Sequence, residues 1–277
     1  MASGASAFFL GVDVGTGSAR AGVFDETGRL HGAASQAIQL FRPQEDFVEQ
    51  SSDDIWRACG AAITGALRQA GLGGDRIAGL AFDATCSLVL LDADDAPVTV
   101  SPSGRTEQNI IVWMDHRALA QADAINQTEH EVLRYVGGRI SPEMETPKLA
   151  WLKQALPASF QKTARFLDLP DYLSYRATGN DSRSHCTTVC KWTYLGHENG
   201  GRGAWSRSFF EAIGLSELLD DDARRIGRVV RPLGECVGQL TERSARELGL
   251  VAGIPVGVSV IDAHAGGIGL LLSLIHI

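Results

Sequence analysis

The sequence is short of positive charge: 25 Lys and Arg stand against 33 Asp and Glu, for a formal net charge of −8. Nucleic-acid and anionic-membrane surfaces both want clustered cations, so neither is an expected partner, although a locally basic pocket for an anionic substrate stays open. A long apolar run is also missing. The stretch from Leu270 to Ile277 is well below the ~20 residues that span a bilayer. The N-terminus has no basic segment, and Ala5 to Leu10 is too short for a signal core. Cysteine is sparse and odd in number, at positions 59, 86, 186, 190 and 236. Such scattered thiols fit a reducing compartment and not a disulfide framework, and a cytoplasmic protein is expected. Cys186 and Cys190 are four apart with His185 alongside, but no second close pair completes a zinc set, so ordinary thiols are the reading. Internal repeats, heptads and low-complexity tracts are absent.

What is present is ordinary for a globular protein, with 44% hydrophobic and 21% charged residues. The length suffices for one large domain or two small ones without staples. Residues 7–14, 18–24 and 30–40 read as three strands joined by the turns at Gly15-Thr16-Gly17 and Asp25 to Gly28, an antiparallel meander. Ser51 to Asp54 offers N-cap candidates for a helix with Ile55, Trp56, Ala62, Ile63, Ala66 and Leu67 at helical spacing, closed by Gly71. Residues 77–82 and 88–91 are strands again. A meander followed by alternating helix and strand is an α/β layer fold with a mixed sheet. The middle, from Asp115 to about Arg176, reads as helical; 234–240 is a strand, 241–248 a helix and 256–260 the last strand.

Two segments carry chemistry by their own composition. In Gly11-Val-Asp-Val-Gly-Thr-Gly-Ser18 an Asp at a strand end runs into a turn of small residues, whose backbone N–H groups and hydroxyls suit phosphate oxygens. Asp13 cannot itself meet phosphate, so it needs a cation between them, normally Mg²⁺ with its waters. Arg20 adds positive charge. A plain hairpin with Asp13 capping its turn is the bland alternative, and no Gly-Lys-Ser/Thr follows to make a Walker loop. In the second segment Asp262 again ends a strand, and Ala263 to Gly269 open a helix. That Asp either caps the helix or faces an α/β crevice. Between them, Thr85, Cys86 and Ser87 put small polar groups at the end of a strand, as a polyol site requires.

Taken together and in order, these segments resemble the FGGY carbohydrate kinases, over roughly residues 8 to 270. The resemblance rests on Gly11 to Ser18, Asp83-Ala-Thr-Cys-Ser-Leu-Val89, Trp113-Met-Asp-His-Arg117, Asp171 to Gly179, Cys190-Lys191-Trp192 and Val260 to Gly269. It implies a ribonuclease H-like fold of the actin, hexokinase and Hsp70 superfamily, with a helical insertion from about 115 to 230. It implies ATP and Mg²⁺ as co-substrate and metal, and a small-molecule sugar as partner. Gly15, Thr16, Gly17, Ser18 and Arg20 would face the transferred phosphate, with Asp13 organising Mg²⁺. Asp262 would be the base that takes the proton of the attacking hydroxyl, with Gly266 and Gly267 allowing close approach. Thr85, Cys86, Ser87, Trp113, Asp115, Arg117 and Lys191 would line the sugar pocket, with Asp115 a ligand either for sugar hydroxyls or for the pocket's own Arg117. The Thr-Cys-Ser run is similar to that of D-ribulose kinases, so D-ribulose to D-ribulose 5-phosphate is the expected reaction, ahead of xylulose, ribitol or glycerol. Asp171 looks mainly structural.

The pattern then departs from the family, which continues beyond Gly269 into a second lobe that holds the adenosine. Residues 1–7 are expected to be a flexible start, 8–270 the sugar-binding lobe and 271–277 an atypical tail. On that reading the chain turns over little alone, and the face toward the other lobe is apolar and prone to self-association. A non-catalytic sugar- or partner-binding product is the alternative, and an ATPase without a sugar site a more distant one.

Overall fold

The computed structural model describes residues 7–275; the rest of the expected flexible start, residues 1–6, and the last two residues of the expected tail lie outside the described residues. Strand Phe8–Val14 buries every second side chain, Phe8, Leu10, Val12 and Val14, which places one face against a core. Strand Ser18–Asp25 runs back beside it and strand Leu30–Ala37 follows, so the expected meander forms. Helix Ser52–Ala70 lies across it and buries Ile55, Cys59, Ala62, Ile63 and Ala66. Ser51 caps its first turn by accepting from the Asp54 N–H at 3.3 Å, and Gly71 closes it in the left-handed region at φ 68°. The helix sits so close that a Cβ on Gly32 would collide with the Ala66 carbonyl.

The large sheet has seven strands. Its central strand, Ile77–Ala84, runs parallel to Phe8–Val14 on one side. On the other side it meets two short parallel pieces, Pro255–Gly257 and Val260–Ile261. The single strand expected over 256–260 is therefore broken: between the two pieces Val258 N donates to Glu235 O at 2.9 Å, and the Ser259 hydroxyl donates to Asp171 Oδ1 at 3.3 Å. Cys236–Gln239 closes the outer edge.

A second core fills the segment between the central strand and that edge. Helices Leu119–Asn126, Glu145–Ala155 and Leu169–Thr178 appear there as expected, but strand Arg165–Asp168 interrupts the region read as helical. It pairs with Leu88–Leu91 in a four-stranded sheet, a partner about 77 residues away that no local pattern announces. Helix His185–Lys191 and helix Asp262–Ile275 complete the elements around the site, the second continuing through most of the segment expected to be an atypical tail. Among the described residues no helix is long and apolar enough to cross a membrane.

Candidate functional site

Three parallel strands end side by side. Asp13 lies opposite Asp83 in the register of the first and central strands, and Val260 and Ile261 lie opposite Asp83 and Ala84. The next residue after Ile261 is Asp262, so three carboxylates reach one rim at the C-terminal ends of the strands, where α/β sheets bind ligands. Asp13 Oδ2 pairs with Arg20 Nη2 at 2.6 Å, while its Oδ1 is buried without a partner. Burial, then the neighbouring Asp13 and Asp262 carboxylates, push Asp83 up to about 7. Burial also raises Asp13, against the pull of Arg20. Two carboxylates that cannot both ionise, one with an unmatched lone pair, are a donor set that suits a hard cation. Mg²⁺ binds through one or two carboxylates and keeps several waters. The rim therefore fits it, even though no group of three or more His, Cys, Asp or Glu among the described residues could hold a metal by itself.

Asp83 also makes a stability prediction. Its folded value of about 7 lies above the ordinary 3.8, so the contribution it makes when protonated is lost as pH rises from about 4 through 7. Asp83→Asn is expected to raise the melting temperature at pH 8 by about 2–4 °C, the effect of ~1 kcal/mol in a domain of this size. The gain should shrink toward pH 5. A melt of both proteins at the two pH values checks it, and an equal shift at both would refute the shared proton.

The loop after Asp13 is shaped by its own bonds. Gly15 N donates to Ser18 O at 3.0 Å, Gln50 Nε2 donates to Thr16 O at 2.8 Å and Trp113 Nε1 donates to Thr16 Oγ1 at 3.0 Å. A Cβ added at Gly17, Gly266 or Gly267 would meet nothing within 4 Å, so the fold's packing leaves open space there. Arg20 is exposed and leans on Asp13.

Beside this rim is a cavity of about 500 Å³ lined by Thr16, Thr85, Cys86, Trp113, Lys191 and Asp262, together with Glu143, Cys190, Ile261, Ala263 and His264. Lys191 ends the His185–Lys191 helix, and its neighbour Trp192 is buried and donates Nε1–H to Asp168 Oδ2 at 3.1 Å. Buried Asp171 accepts from Ser184 N at 2.8 Å, Thr187 Oγ1 at 2.7 Å and the Ser259 hydroxyl. One carboxylate thus ties the helix that carries Lys191 to the segment that leads into Asp262, a structural role as expected. Burial and the Asp168 charge push the Cys86 thiol up, so it meets a ligand as a neutral group.

Three expected pocket residues do not reach the cavity. Ser87 is fully buried, and its hydroxyl accepts the Trp113 N–H at 3.2 Å. The side chains of Asp115 and Arg117 are both 0% exposed. Asp115 accepts from Val48 N at 2.6 Å and from Arg117 Nε and Nη2 at 2.8 and 2.7 Å. Arg117 further bonds Glu49 Oε1 at 2.9 Å and Val100 O at 2.8 Å, with Phe47 and Trp151 against its guanidinium. With these bonds made inside the protein, the pair offers no free group to a sugar. Sequence reasoning passed over Asp83, Glu143, Cys190 and His264 as site residues. Asp83 had a signal, since Phe82-Asp83-Ala84 repeats the strand-then-Asp pattern of Val12-Asp13-Val14.

Residues 8–269 match the FGGY family of carbohydrate kinases, N-terminal domain. The chain is 47% identical over 266 residues to an FGGY carbohydrate kinase domain-containing protein of Homo sapiens, covering 95% of this chain and 47% of that protein. It is 42% identical over 272 residues to a D-ribulokinase of Saccharomyces cerevisiae, covering 95% and 38%. A solved structure from Brucella ovis described as a "xyloylose kinase" superposes with a TM-score of 0.73 at 26% identity, over 92% of this chain and 49% of that one. The chain spans about half the length of the human relative and less of the yeast one. Its mixed sheet flanked by helices is the actin/hexokinase-like architecture of these kinases. With the rim, the cavity and the match over 8–269 in agreement, the chain belongs to the FGGY family of carbohydrate kinases.

Proposed function

We propose that the cavity binds a ketopentose, D-ribulose first, and that the protein of which this fold is one lobe phosphorylates it with ATP to the 5-phosphate. The observation that carries this is the placing of Lys191 and Asp262 on one 500 Å³ cavity whose edge adjoins the Asp13–Asp83 rim. The likeness to a D-ribulokinase of yeast favours ribulose among the pentuloses and polyols. Thr85 and the neutral Cys86 thiol supply polar contacts, and Trp113 an apolar wall. Lys191 donates to sugar oxygens. Asp262, half-buried, orients the attacking hydroxyl and accepts its proton. Mg²⁺ held by Asp13 and Asp83, when bound, neutralises phosphate charge; the open space over Gly17, Gly266 and Gly267 accommodates the phosphates.

In the family's pattern a second lobe holds the adenosine, and the match here is to the N-terminal domain. We therefore infer that these residues bind sugar but phosphorylate it slowly alone, since positioning of reactants is worth about 7–11 kcal/mol. Ile268 and Leu271, one turn apart on the last helix and both exposed, with Leu270 exposed on another side, leave apolar surface suited to that second lobe or to self-association. A cytoplasmic setting accords with the free thiols.

The test is a melt of the chain with D-ribulose, glycerol and MgATP. D-ribulose at 100 times its Kd is expected to stabilise by about 2.7 kcal/mol, and glycerol at equal concentration to do far less. Lys191→Met should weaken D-ribulose about tenfold or more, the cost of a hydrogen bond to a charged group. Equal stabilisation by glycerol would point to a general polyol site. No response to any sugar, from a chain that melts cooperatively, would remove the reading.

A further inference from the structure

Cys186 and Cys190 sit one turn apart on the His185–Lys191 helix, and both thiols meet His264 of the Asp262–Ile275 helix. Cys186 Sγ lies 3.0 Å from His264 Nδ1 and Cys190 Sγ 4.0 Å from Nε2. Cys186 is also the neighbour that acts most strongly on the ionisation of Cys190. His185, the histidine adjacent in sequence, lines a different cavity with Tyr135 and Tyr194. The cluster is reachable, because Cys190 and His264 both line the 500 Å³ cavity and neither thiol is fully buried.

We propose that Cys190 is a redox modification site: a hydroperoxide oxidises it, and Cys186 resolves the product into a Cys186–Cys190 disulfide that displaces Lys191 from the cavity.

The division of labour follows from the surroundings. The neighbouring Cys186 thiol, with the charges of His264 and Lys191, outweighs burial and brings Cys190 down to about 6. Cys190 is therefore the more readily ionised of the two thiols, and the thiolate is the form that attacks a peroxide. Cys186 is pushed up by its neighbour Cys190 and by burial, and waits as the thiol. The other cysteines differ. Cys59 and Cys86 are buried and raised by that burial, and Cys236 stands exposed and distant from this cluster.

The step balances. The Cys190 thiolate attacks the terminal peroxide oxygen, an S–O bond forms, the O–O bond breaks, and the leaving hydroxide (alkoxide from an organic hydroperoxide) takes the Cys186 proton to become water or the alcohol. The Cys186 thiolate then attacks the Cys190 sulfur. An S–S bond forms, the S–O bond breaks, and the departing hydroxide is protonated by solvent. Two thiols are oxidised by two electrons in all, and the hydroperoxide is reduced to water and, for an organic hydroperoxide, its alcohol.

Why this would move Lys191 is a matter of helix geometry. Residues four apart on a helix hold their Cβ atoms about 5–6 Å apart, whereas a disulfide needs about 3.5–4.5 Å. The last turn must therefore tighten or open. It is a short turn to disturb: the helix has seven residues, and Trp192 N–H donates to Thr188 O at 3.1 Å as its last bond. Lys191 lies between Cys190 and that bond. The consequence for binding rests on the sugar-site reading; the thiol chemistry does not.

The chain should be treated with a few equivalents of hydrogen peroxide, quenched by alkylation without reductant, and mapped by peptide mass spectrometry. The expected product is a Cys186–Cys190 disulfide with Cys236 still alkylated. Cys186→Ser should stop at a Cys190 sulfenic acid, trapped as an adduct of a cyclic 1,3-diketone. Oxidised chain should bind D-ribulose at least tenfold more weakly than reduced chain, and a dithiol reductant should restore it. Oxidation of Cys236 ahead of Cys190, or a wild-type Cys190 sulfenic acid that forms no disulfide, would overturn the proposal whether or not the variant folds. A disulfide that leaves D-ribulose affinity unchanged would overturn the displacement of Lys191. If reduced chain binds no sugar, the sugar-site reading fails and the mapped disulfide alone decides the thiol chemistry.

Discussion

Arg117→Ala is expected to lower the stability of the chain by about 3–5 kcal/mol, the usual cost of leaving a buried charge without its partner. The reason lies in what surrounds the guanidinium. Asp115 and Glu49 both face it with side chains 0% exposed, and Glu49 is already raised by burial in spite of the arginine. Without Arg117 the two carboxylates face each other in a space that water does not reach. Phe47 and Trp151 also lose the flat cation against which they pack. Arg117→Lys should recover little, because one ammonium cannot serve Asp115, Glu49 and the Val100 carbonyl together. Urea unfolding checks this. With a slope of about 2–3 kcal/mol/M the midpoint should fall by roughly 1–2 M. A shift below about 0.5 M would mean that water enters to solvate the acids, and that the ion pair is not a support of this core.

The second large effect is chemical. Asp262→Asn is expected to slow ketopentose phosphorylation about 10²–10⁴-fold, the ordinary contribution of a positioned general base. D-ribulose binding should survive within a few-fold, since the amide keeps the shape of the carboxylate. Single-turnover conditions suit the measurement, with protein in excess over D-ribulose and the sugar phosphate detected by mass spectrometry, because slow transfer is expected from one lobe. Loss of binding and transfer together would make Asp262 a sugar ligand first. Unchanged transfer would move the base elsewhere, with Asp83 the next carboxylate on the rim.

Much of the fold follows from local rules in the sequence. Phe8 to Ala37 alternates and turns at glycine-containing segments, so a meander forms whatever lies beyond it. Ser51 and Gly71 bound their helix because a cap needs only its own first or last turn. Asp13 and Asp262 stand out because each ends an apolar strand and precedes small residues, which is a property of a few consecutive positions. The break around Ser259 and the strand Arg165–Asp168 meet partners far away in sequence, Asp171 and Leu88–Leu91, and carry no local mark.

The direction in which a side chain points was decided by the tertiary structure alone. In Trp113-Met-Asp-His-Arg117 the sequence shows three residues that suit a sugar pocket, yet only Trp113 reaches it. Asp115 and Arg117 neutralise one another and turn inward, since a matched and fully bonded pair can be taken out of water where a lone charge cannot. Conversely, Asp83 becomes part of the rim only because the parallel register sets it opposite Asp13. His264 joins Cys186 and Cys190 across 78 and 74 residues because two helices converge on the cavity. Sequence by itself determined which strand ends and caps exist, because those are set by neighbours along the chain. Structure decided which polar groups share a space, because that is set by neighbours across it.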